Sequence, residues 1–334
     1  MIRKDATWLA VVLACLVTAC IQPQFGRPEN LGAPINSTFD ENGPFLSADQ
    51  TTLYFHSGRG GSDSDDIWFA TRNDATAAWN EPRPISDMVN DLFQSFGLTM
   101  SDDELTIYFA SNIQKPVQLR SIAQAMRGIV KVVEKATGFF NNLLGGEGNF
   151  DIWYSTRETR ISAWGLPKNI GRSVNSPGVE SDPRISKNGL ELYFAELDIP
   201  PFRAGGSGGG DVWVSRRSSW SDPWGEPENL STVNSAFTDF TPSLAANDLL
   251  LFFASNRAGG YGDFDIWVSR RTSVTAPWGQ PRNAGARINT AYKDCRPYAS
   301  SDGSTLYYGS CTVEGLGGMD IWQADINDIS GLGR

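Results

Sequence analysis

The stretch Phe240–Arg271, FTPSLAANDLLLFFASNRAGGYGDFDIWVSRR, contains the pattern that recurs along the chain. Two apolar runs, Leu249–Phe253 and Asp265–Ser269, lie on either side of a Gly-rich loop. Both are rich in β-branched and aromatic residues and are bounded by Gly, Asn and Asp, which is typical of β-strands rather than of a helix. The stretch therefore predicts neighbouring β-strands joined by a turn.

Tryptophans mark the copies of this pattern. An Asp-Ile/Val-Trp sequence recurs five times, with its tryptophan at Trp68, Trp153, Trp213, Trp267 and Trp322. A second tryptophan, three residues before a proline, follows eleven residues after each of the first four: Trp79, Trp164, Trp224 and Trp278. Nine of the eleven tryptophans thus occupy two repeat positions, which indicates a repeat protein.

Each unit has the pattern of four strands and ends at an asparagine, here called the unit asparagine. The five are Asn36, Asn90, Asn175, Asn234 and Asn289, with spacings of 54, 85, 59 and 55. The last unit lacks its Trp-x-x-Pro segment, but residues 25–32, FGRPENLG, match that segment, with Phe25 at the tryptophan position. The N-terminal strand is therefore predicted to complete the last unit and close a ring, which leaves only short sheet edges.

The Pro-x-x-Ser, Leu-Tyr-Phe, Ser-Asn-Arg, Gly-Gly and Asp-Ile-Trp sequences together resemble the WD-like propeller repeats of the TolB type, over about residues 25–326. This resemblance implies an all-β fold and a bacterial envelope protein. Five copies imply a five-bladed β-propeller with four-stranded antiparallel blades, predicted to span residues 25–327 as one domain, with a tail at 328–334. A propeller fold alone does not decide between binding and catalysis.

The N-terminus has the pattern of a signal peptide. Basic residues precede an apolar stretch, Trp8–Val17, that is too short to cross a bilayer. Small residues before Cys20 resemble the bacterial lipobox, so residues 1–19 are predicted to be removed, Cys20 to be lipidated, and residues 20–24 to form a tether. Ordinary secretion with Cys20 lost or free is the alternative. The expected location is the cell envelope, at the periplasmic face of the outer membrane.

The net charge limits the classes of partner, and the cysteines predict a disulfide. Loss of residues 1–19 removes two cations and one anion, which changes the net charge from −10 to −11. Such an acidic chain has no electrostatic footprint for nucleic acid. Cys295 and Cys311 lie on neighbouring predicted strands, where an oxidising compartment would favour a disulfide, while two free thiols are the alternative.

The long spacing between units is explained by an insertion at residues 113–147. Its apolar residues recur at three- and four-residue steps, which predicts an amphipathic helix or a broken pair of helices. These residues include Ile122, Met126, Ile129, Val133, Phe139 and Phe140. The helix is expected either to pack on its own propeller or to contact a partner or a membrane surface.

Charged residues are predicted to gather at one mouth of the central channel. Four of the five units have a carboxylate five residues after the unit asparagine: Glu41, Glu180, Asp239 and Asp294. Asp182, Arg296, Arg59 and Arg257 are expected on the same face. The ring could bind a cation, a sugar or a basic peptide. Alternatively, each carboxylate accepts backbone N–H bonds from the adjacent turn.

Catalysis is the weaker expectation. Some five-bladed propellers are glycoside hydrolases with paired carboxylates, but here the acids are repeated equivalents rather than a differentiated pair. His56, the only histidine, stands where other units have Ala or Gly and is expected to be a packing substitution. No cofactor is expected; Ser62–Asp66 is a weak candidate for calcium. The sequence thus predicts a non-enzymatic protein that binds a protein, peptide or glycan, with a glycosidase and a lectin-like protein as alternatives.

Overall fold

A computed structural model describes residues 24–60, 66–85, 95–112 and 150–328. The regular structure in these residues is entirely β-strand, in five antiparallel sheets. Within the same residues, no helix has the length and hydropathy needed to cross a membrane. The predicted helix in residues 113–147, the signal peptide and Cys20 lie outside the described residues.

The strands fall into four layers from the centre outwards. The innermost strands are β3 (Glu41–Leu46), β7 (Ser95–Met100), β11 (Glu180–Ile185), β15 (Asp239–Ala245) and β19 (Asp294–Ala299). The second strands are β4 (Thr52–Ser57), β8 (Thr106–Ser111), β12 (Glu191–Glu196), β16 (Leu250–Ser255) and β20 (Thr305–Ser310). The third strands are β5 (Asp66–Thr71), β9 (Asp151–Thr156), β13 (Asp211–Arg216), β17 (Asp265–Arg270) and β21 (Asp320–Asp328). The outer strands are β6 (Arg83–Pro84), β10 (Lys168–Asn169), β14 (Glu228–Asn229), β18 (Arg282–Asn283) and, from the N-terminus, β1 (Gln24–Phe25) and β2 (Glu29–Asn30).

The five sheets surround a central channel and are numbered blades 1 to 5 in the order of their innermost strands, β3, β7, β11, β15 and β19. The innermost strands of neighbouring blades touch in the order β3, β7, β11, β15 and β19, and β19 touches β3 again. The predicted five-bladed β-propeller is therefore confirmed. The outer strands are shorter than the Trp224–Leu230 segment suggested, because only two residues of each pair with the third strand. We call the side with the second-to-third and fourth-to-first connections the top face, and the other side the bottom face.

The N-terminal strand closes the ring. Glu29 pairs with Gln323 and Asn30 with Trp322, and the Leu31 N–H donates to the Ile321 carbonyl at 3.1 Å. β1 extends this contact, since Phe25 lies opposite Ile326. The prediction that the first strand completes the last blade is confirmed.

The second tryptophan of each unit packs against an arginine that follows the third strand. The pairs Arg72–Trp79, Arg157–Trp164, Arg217–Trp224 and Arg271–Trp278 have guanidinium-to-ring distances of 4.2, 4.3, 4.3 and 4.5 Å. Such cation–π contacts contribute about 0.5–2 kcal/mol each. The fifth blade replaces the pair with two apolar residues, Ile326 and Phe25, and Phe25 makes an edge contact with Phe252 of blade 4 at 6.4 Å. In blade 5, therefore, both members of the arginine–tryptophan pair are replaced by apolar residues.

The unit asparagines hydrogen-bond the loop after the outer strand of each blade to the third strand of the same blade. In the four described cases the side-chain amide donates to, and accepts from, the backbone of the Ile or Val in the Asp-Ile/Val-Trp sequence: Asn36 to Ile321, Asn175 to Ile152, Asn234 to Val212 and Asn289 to Ile266. In the three blades whose preceding loop is described, the Asp of that sequence accepts backbone N–H groups of this loop: Asp211 from Ser207, Asp265 from Tyr261 and Gly262, and Asp320 from Leu316 and Gly317. Through these bonds the carboxylate orders the Gly-rich loop before the third strand.

The cysteine prediction is wrong. Cys295 and Cys311 are free thiols. Strand pairing places Cys295 opposite Gly309, while the Cys311 N–H bonds to the Lys293 carbonyl, so the cysteines are diagonal rather than directly opposed. Diagonal neighbours in antiparallel strands are about 7–8 Å apart, which is longer than a disulfide usually spans.

Candidate functional site

The four predicted rim carboxylates begin the innermost strands, at the top of the channel, but all are 0% exposed. Each accepts the backbone N–H of a Ser or Thr four residues earlier. Ser37, Ser176, Ser235 and Thr290 donate to Glu41, Glu180, Asp239 and Asp294 at 2.7, 3.1, 2.6 and 2.6 Å. The hydroxyl groups of the same residues donate to the same carboxylates. This is the second of the two roles considered for these residues, in which the carboxylate orders its own turn.

Arg59 and Arg257 cover two of these carboxylates. The Arg59 guanidinium lies 3.1 Å from Glu41 and also contacts the Ile35 carbonyl. Arg257 pairs with Asp239 in the same way and donates to the Val233 carbonyl at 2.7 Å. Both guanidinium groups lie over a Phe and a Trp ring of their own blade. The two arginines are thus structural partners of the buried acids.

Arg203 has the same role in blade 3 and was not predicted. It comes from the long second-to-third connection, not from a Ser-x-Arg turn, yet it lies 3.1 Å from Glu180 and contacts the Val174 carbonyl. Its guanidinium lies over the Phe194 and Trp213 rings, just as those of Arg59 and Arg257 lie over the equivalent Phe and Trp rings of their blades. The sequence carries one signal for it: blade 3 has no Ser-x-Arg turn, and Arg203 is the only cation in residues 197–210 of its second-to-third connection.

The open acidic ring predicted from the sequence is therefore wrong in its geometry. Ser and Thr turns and the three arginines cover the carboxylates, so the acids lie below the surface. Blade 5 has no arginine at the matching position, and burial raises the pKa of Asp294. Partner binding at these residues stays a prediction.

Burial raises the pKa of Glu180 to about 7, mainly because the carboxylate is removed from water. Between its ordinary value and about 7 the native protein keeps a proton that the unfolded chain releases, so stability falls as pH rises through this window. We expect the free energy of unfolding to fall by about 3 kcal/mol more in the wild type than in Glu180→Gln over this window. Urea unfolding of both proteins at several pH values measures the difference, and identical pH dependence would contradict the expectation.

Asp182 and Arg296 form an ion pair across the channel, with a distance of 3.0 Å between Oδ1 and Nη1. The two residues occupy equivalent positions in blades 3 and 5. The innermost strand of every blade has a residue with left-handed backbone conformation at this position: Gly43, Gly97, Asp182, Thr241 and Arg296, with φ of 59, 51, 48, 52 and 53°. These five residues line a narrow section of the channel with a volume of about 40 Å³. A left-handed conformation costs a residue other than Gly about 1–2 kcal/mol, and Thr241 is β-branched, so the channel wall carries local strain.

His56 lies behind this wall. It is fully buried, and its ring fills the space that a Cβ at Gly43 would occupy, at 2.6 Å from Cδ2. Burial lowers the pKa of His56 to about 3, so the imidazole is neutral at physiological pH. Neither ring nitrogen has a hydrogen-bond partner. The predicted packing role fits this environment, and no Ser-His-Asp arrangement is formed.

Exposed aromatic side chains on the top face were missed in the sequence. Phe39, Phe237 and Tyr292 each lie two residues before a buried acid, and their N–H groups donate to the Ser or Thr hydroxyl at 3.1–3.2 Å. Phe202 and Tyr261 extend from second-to-third connections on the same face. The signal was an aromatic residue at this repeat position in four of five units, with Phe93 the fourth.

The described residues contain no group of three His, Cys, Asp or Glu side chains that could hold a metal ion. The calcium candidate Ser62–Asp66 falls almost entirely outside those residues, as do Ile122, Met126, Ile129, Val133, Phe139 and Phe140 of the predicted helix. These predictions stay predictions.

Comparison with solved structures shows the same fold in enzymes and in other proteins. A thermostable family-43 glycoside hydrolase matches with a TM-score of 0.54 and 11% identity, over 90% of this chain and 93% of that one. The catalytic domain of a GH62 α-L-arabinofuranosidase from Coprinopsis cinerea matches with a TM-score of 0.52 and 11% identity, over 92% and 98%. The fold is shared. A putative TolB from Agrobacterium tumefaciens matches at 0.44 and 13%, over 87% and 79%, so the neighbours do not single out the TolB type.

No protein-family model matches the sequence, and no curated protein matches it. At 11% identity, the two glycoside hydrolases share the fold of this chain and leave its biochemical function open.

Proposed function

We propose that this propeller is a non-enzymatic protein that binds another protein through its top face. The observation that carries the proposal is the group of exposed aromatic side chains there, which we call the aromatic face. It consists of Phe39, Phe202, Phe237, Tyr261 and Tyr292, which are 46, 55, 47, 53 and 44% exposed.

Aromatic side chains are enriched in protein interfaces, and exposed apolar groups on one side of a protein commonly mark such an interface. The Ser and Thr turns hold three of the five residues in place before binding, which lowers the entropy lost on association. Neither channel cavity is lined by these side chains. A surface of this kind suits a broad protein partner better than a small sugar.

The chain direction supports a protein partner over a membrane. β21 runs from Asp320 at the top face to Asp328 at the bottom face, and Gln24 lies opposite Asp328. The predicted lipid attachment, Cys20, is four residues before Gln24. A lipid anchor at Cys20 would therefore connect near the bottom face and leave the aromatic face turned away from the bilayer.

The buried acids argue against the glycosidase alternative. Glycosidases use two carboxyl groups that flank the scissile bond. Glu41, Glu180, Asp239 and Asp294 are all covered. The other predicted acid, Asp182, is 8% exposed and pairs with Arg296. Hydrolysis of any member of an oligosaccharide panel by the wild type, lost in Asp182→Asn, would overturn the non-enzymatic proposal.

The aromatic face is tested by photo-crosslinking from position 237 in cells, with position 220 on the bottom face as the matched control. A partner captured from position 237 alone is then purified and its affinity measured. We expect the double variant Phe237→Ala, Tyr292→Ala to weaken binding at least tenfold, because interface aromatics commonly contribute 2 kcal/mol or more.

The matched variant Trp220→Ala should leave affinity unchanged, since Trp220 is exposed on the opposite face. The top-face double variant should unfold within about 0.5 kcal/mol of the wild type, as exposed positions do. Trp220→Ala also removes the cation–π contact with Arg217 at 4.3 Å and should cost about 0.5–2 kcal/mol. Equal affinity of the top-face variant and the wild type would refute the aromatic face. Deletion of residues 114–147 separately tests the predicted partner helix.

A further inference from the structure

The channel widens at the bottom face into a cavity of about 110 Å³. Its mouth is formed by first-to-second-strand turns, which include Ala48, Ser101, Lys187 and Ser300. Its inner wall is formed by the C-terminal halves of innermost strands, with Phe45, Tyr298 and Arg184 among the lining residues. The cavity lies on the side opposite the aromatic face.

Arg184 is the unusual residue of this wall. The matching positions in the other blades hold Phe45, Thr99, Ser243 and Tyr298, so only blade 3 places a charge here. Its guanidinium lies over the Tyr298 ring at 4.6 Å and near the Phe45 ring at 5.6 Å. It donates a long hydrogen bond of 3.4 Å to the Leu244 carbonyl. Among the described carboxylates, none lies within ion-pair distance of it.

The acids around the cavity have other contacts. Glu104 accepts the Ala48 N–H at 2.9 Å and lies 3.9 and 3.8 Å from Arg157 and Arg160. Asp248 accepts the Lys187 N–H at 3.0 Å. Asp102 is exposed at the rim. Burial lowers the pKa of Arg184, and the Tyr298 hydroxyl and the Asp248 carboxylate offset this shift only in part.

We propose that this cavity binds the carboxylate group of a small organic acid, with the Arg184 guanidinium as its counter-ion. A guanidinium donates two parallel hydrogen bonds to a carboxylate, and the Phe45 and Tyr298 rings offer apolar contact to the rest of the molecule.

The size of the cavity limits the ligand. A cavity of about 150 Å³ holds a benzene molecule, so 110 Å³ suits an acid of roughly five heavy atoms. One arginine favours a single negative charge, and the acids at the rim disfavour a doubly charged anion. Propionate therefore fits better than sulfate.

Calorimetric titration with sodium propionate tests the site in the whole protein, with sodium sulfate and n-propylammonium chloride as charge controls. For so small a ligand we expect a Kd of about 1 mM for propionate. Sulfate should bind at least tenfold more weakly, and the cation should not bind.

Arg184→Met keeps the side chain long and removes the charge, so it should weaken propionate binding at least tenfold. Arg184→Lys keeps the charge but not the two parallel donors, so it should weaken binding severalfold, and it serves as a second variant should Arg184→Met fail to fold. Arg83→Met, at an exposed outer-strand position, is the matched control and should bind as the wild type does. A wild type that does not bind propionate, or equal binding by Arg184→Lys, Arg184→Met and the wild type, would overturn the proposal.

Discussion

Replacement of Arg257 by methionine is expected to lower the free energy of unfolding by about 3–5 kcal/mol, the range measured when one partner of a buried ion pair is removed. Asp239 is fully buried, and the Arg257 guanidinium is its counter-ion. The methionine leaves a carboxylate without a cation in a site closed to water. Chemical denaturation with a two-state fit gives the difference from the wild type.

The double variant Arg257→Met, Asp239→Asn separates the charge from the packing. It removes both charges, so it should recover a large part of the loss, although the amide cannot accept all the bonds of the carboxylate. Arg83→Met is again the surface control, with an expected change within about 0.5 kcal/mol. A loss below 1 kcal/mol for Arg257→Met would mean that water reaches Asp239 and that the ion pair is not buried.

Phe25→Ala is expected to destabilise the protein by a similar amount, about 3–5 kcal/mol. Phe25 is 6% exposed and packs with Phe252 and Ile326 where the ring closes. Alanine would leave a cavity between blades 4 and 5, in the apolar cluster that Phe25 shares with Phe252 and Ile326. Thermal and urea unfolding measure the change.

Gln24→Ala is the matched control, because Gln24 is the exposed neighbour on the same short strand. It should change the free energy of unfolding by less than about 0.5 kcal/mol. An equal, small effect of both substitutions would show that β1 does not hold the ring closed in solution.

The fold could be predicted from the sequence because every blade has the same packing requirement. Each four-stranded sheet must bury both faces against its neighbours, so Trp213, Trp267 and their equivalents recur at fixed spacing. Ring closure was readable for the same reason: the Trp-x-x-Pro segment missing at one end is present at the other, with Phe25 in place of the tryptophan.

The site was less readable because spacing fixes the end of the strand at which a residue lies, not what covers it. Glu41 and Asp239 were placed correctly at the top of the channel, but their burial depends on Arg59 and Arg257 folding back over them. Arg203 was missed since it reaches the same kind of site from a loop of different length. The cysteine prediction failed because the strand register, which sets the distance between the thiols, is not encoded in spacing alone.

The pairing of the N-terminal strand β2 with β21 also determines which blade is completed last during folding. The Asn30 side chain bonds to Asp320, 290 positions later in the chain. Contacts this distant in sequence require a long loop to be closed first, and they form slowly. The last sheet therefore stays incomplete, with the Phe25 side chain in water, until nearly the whole polypeptide has been synthesised.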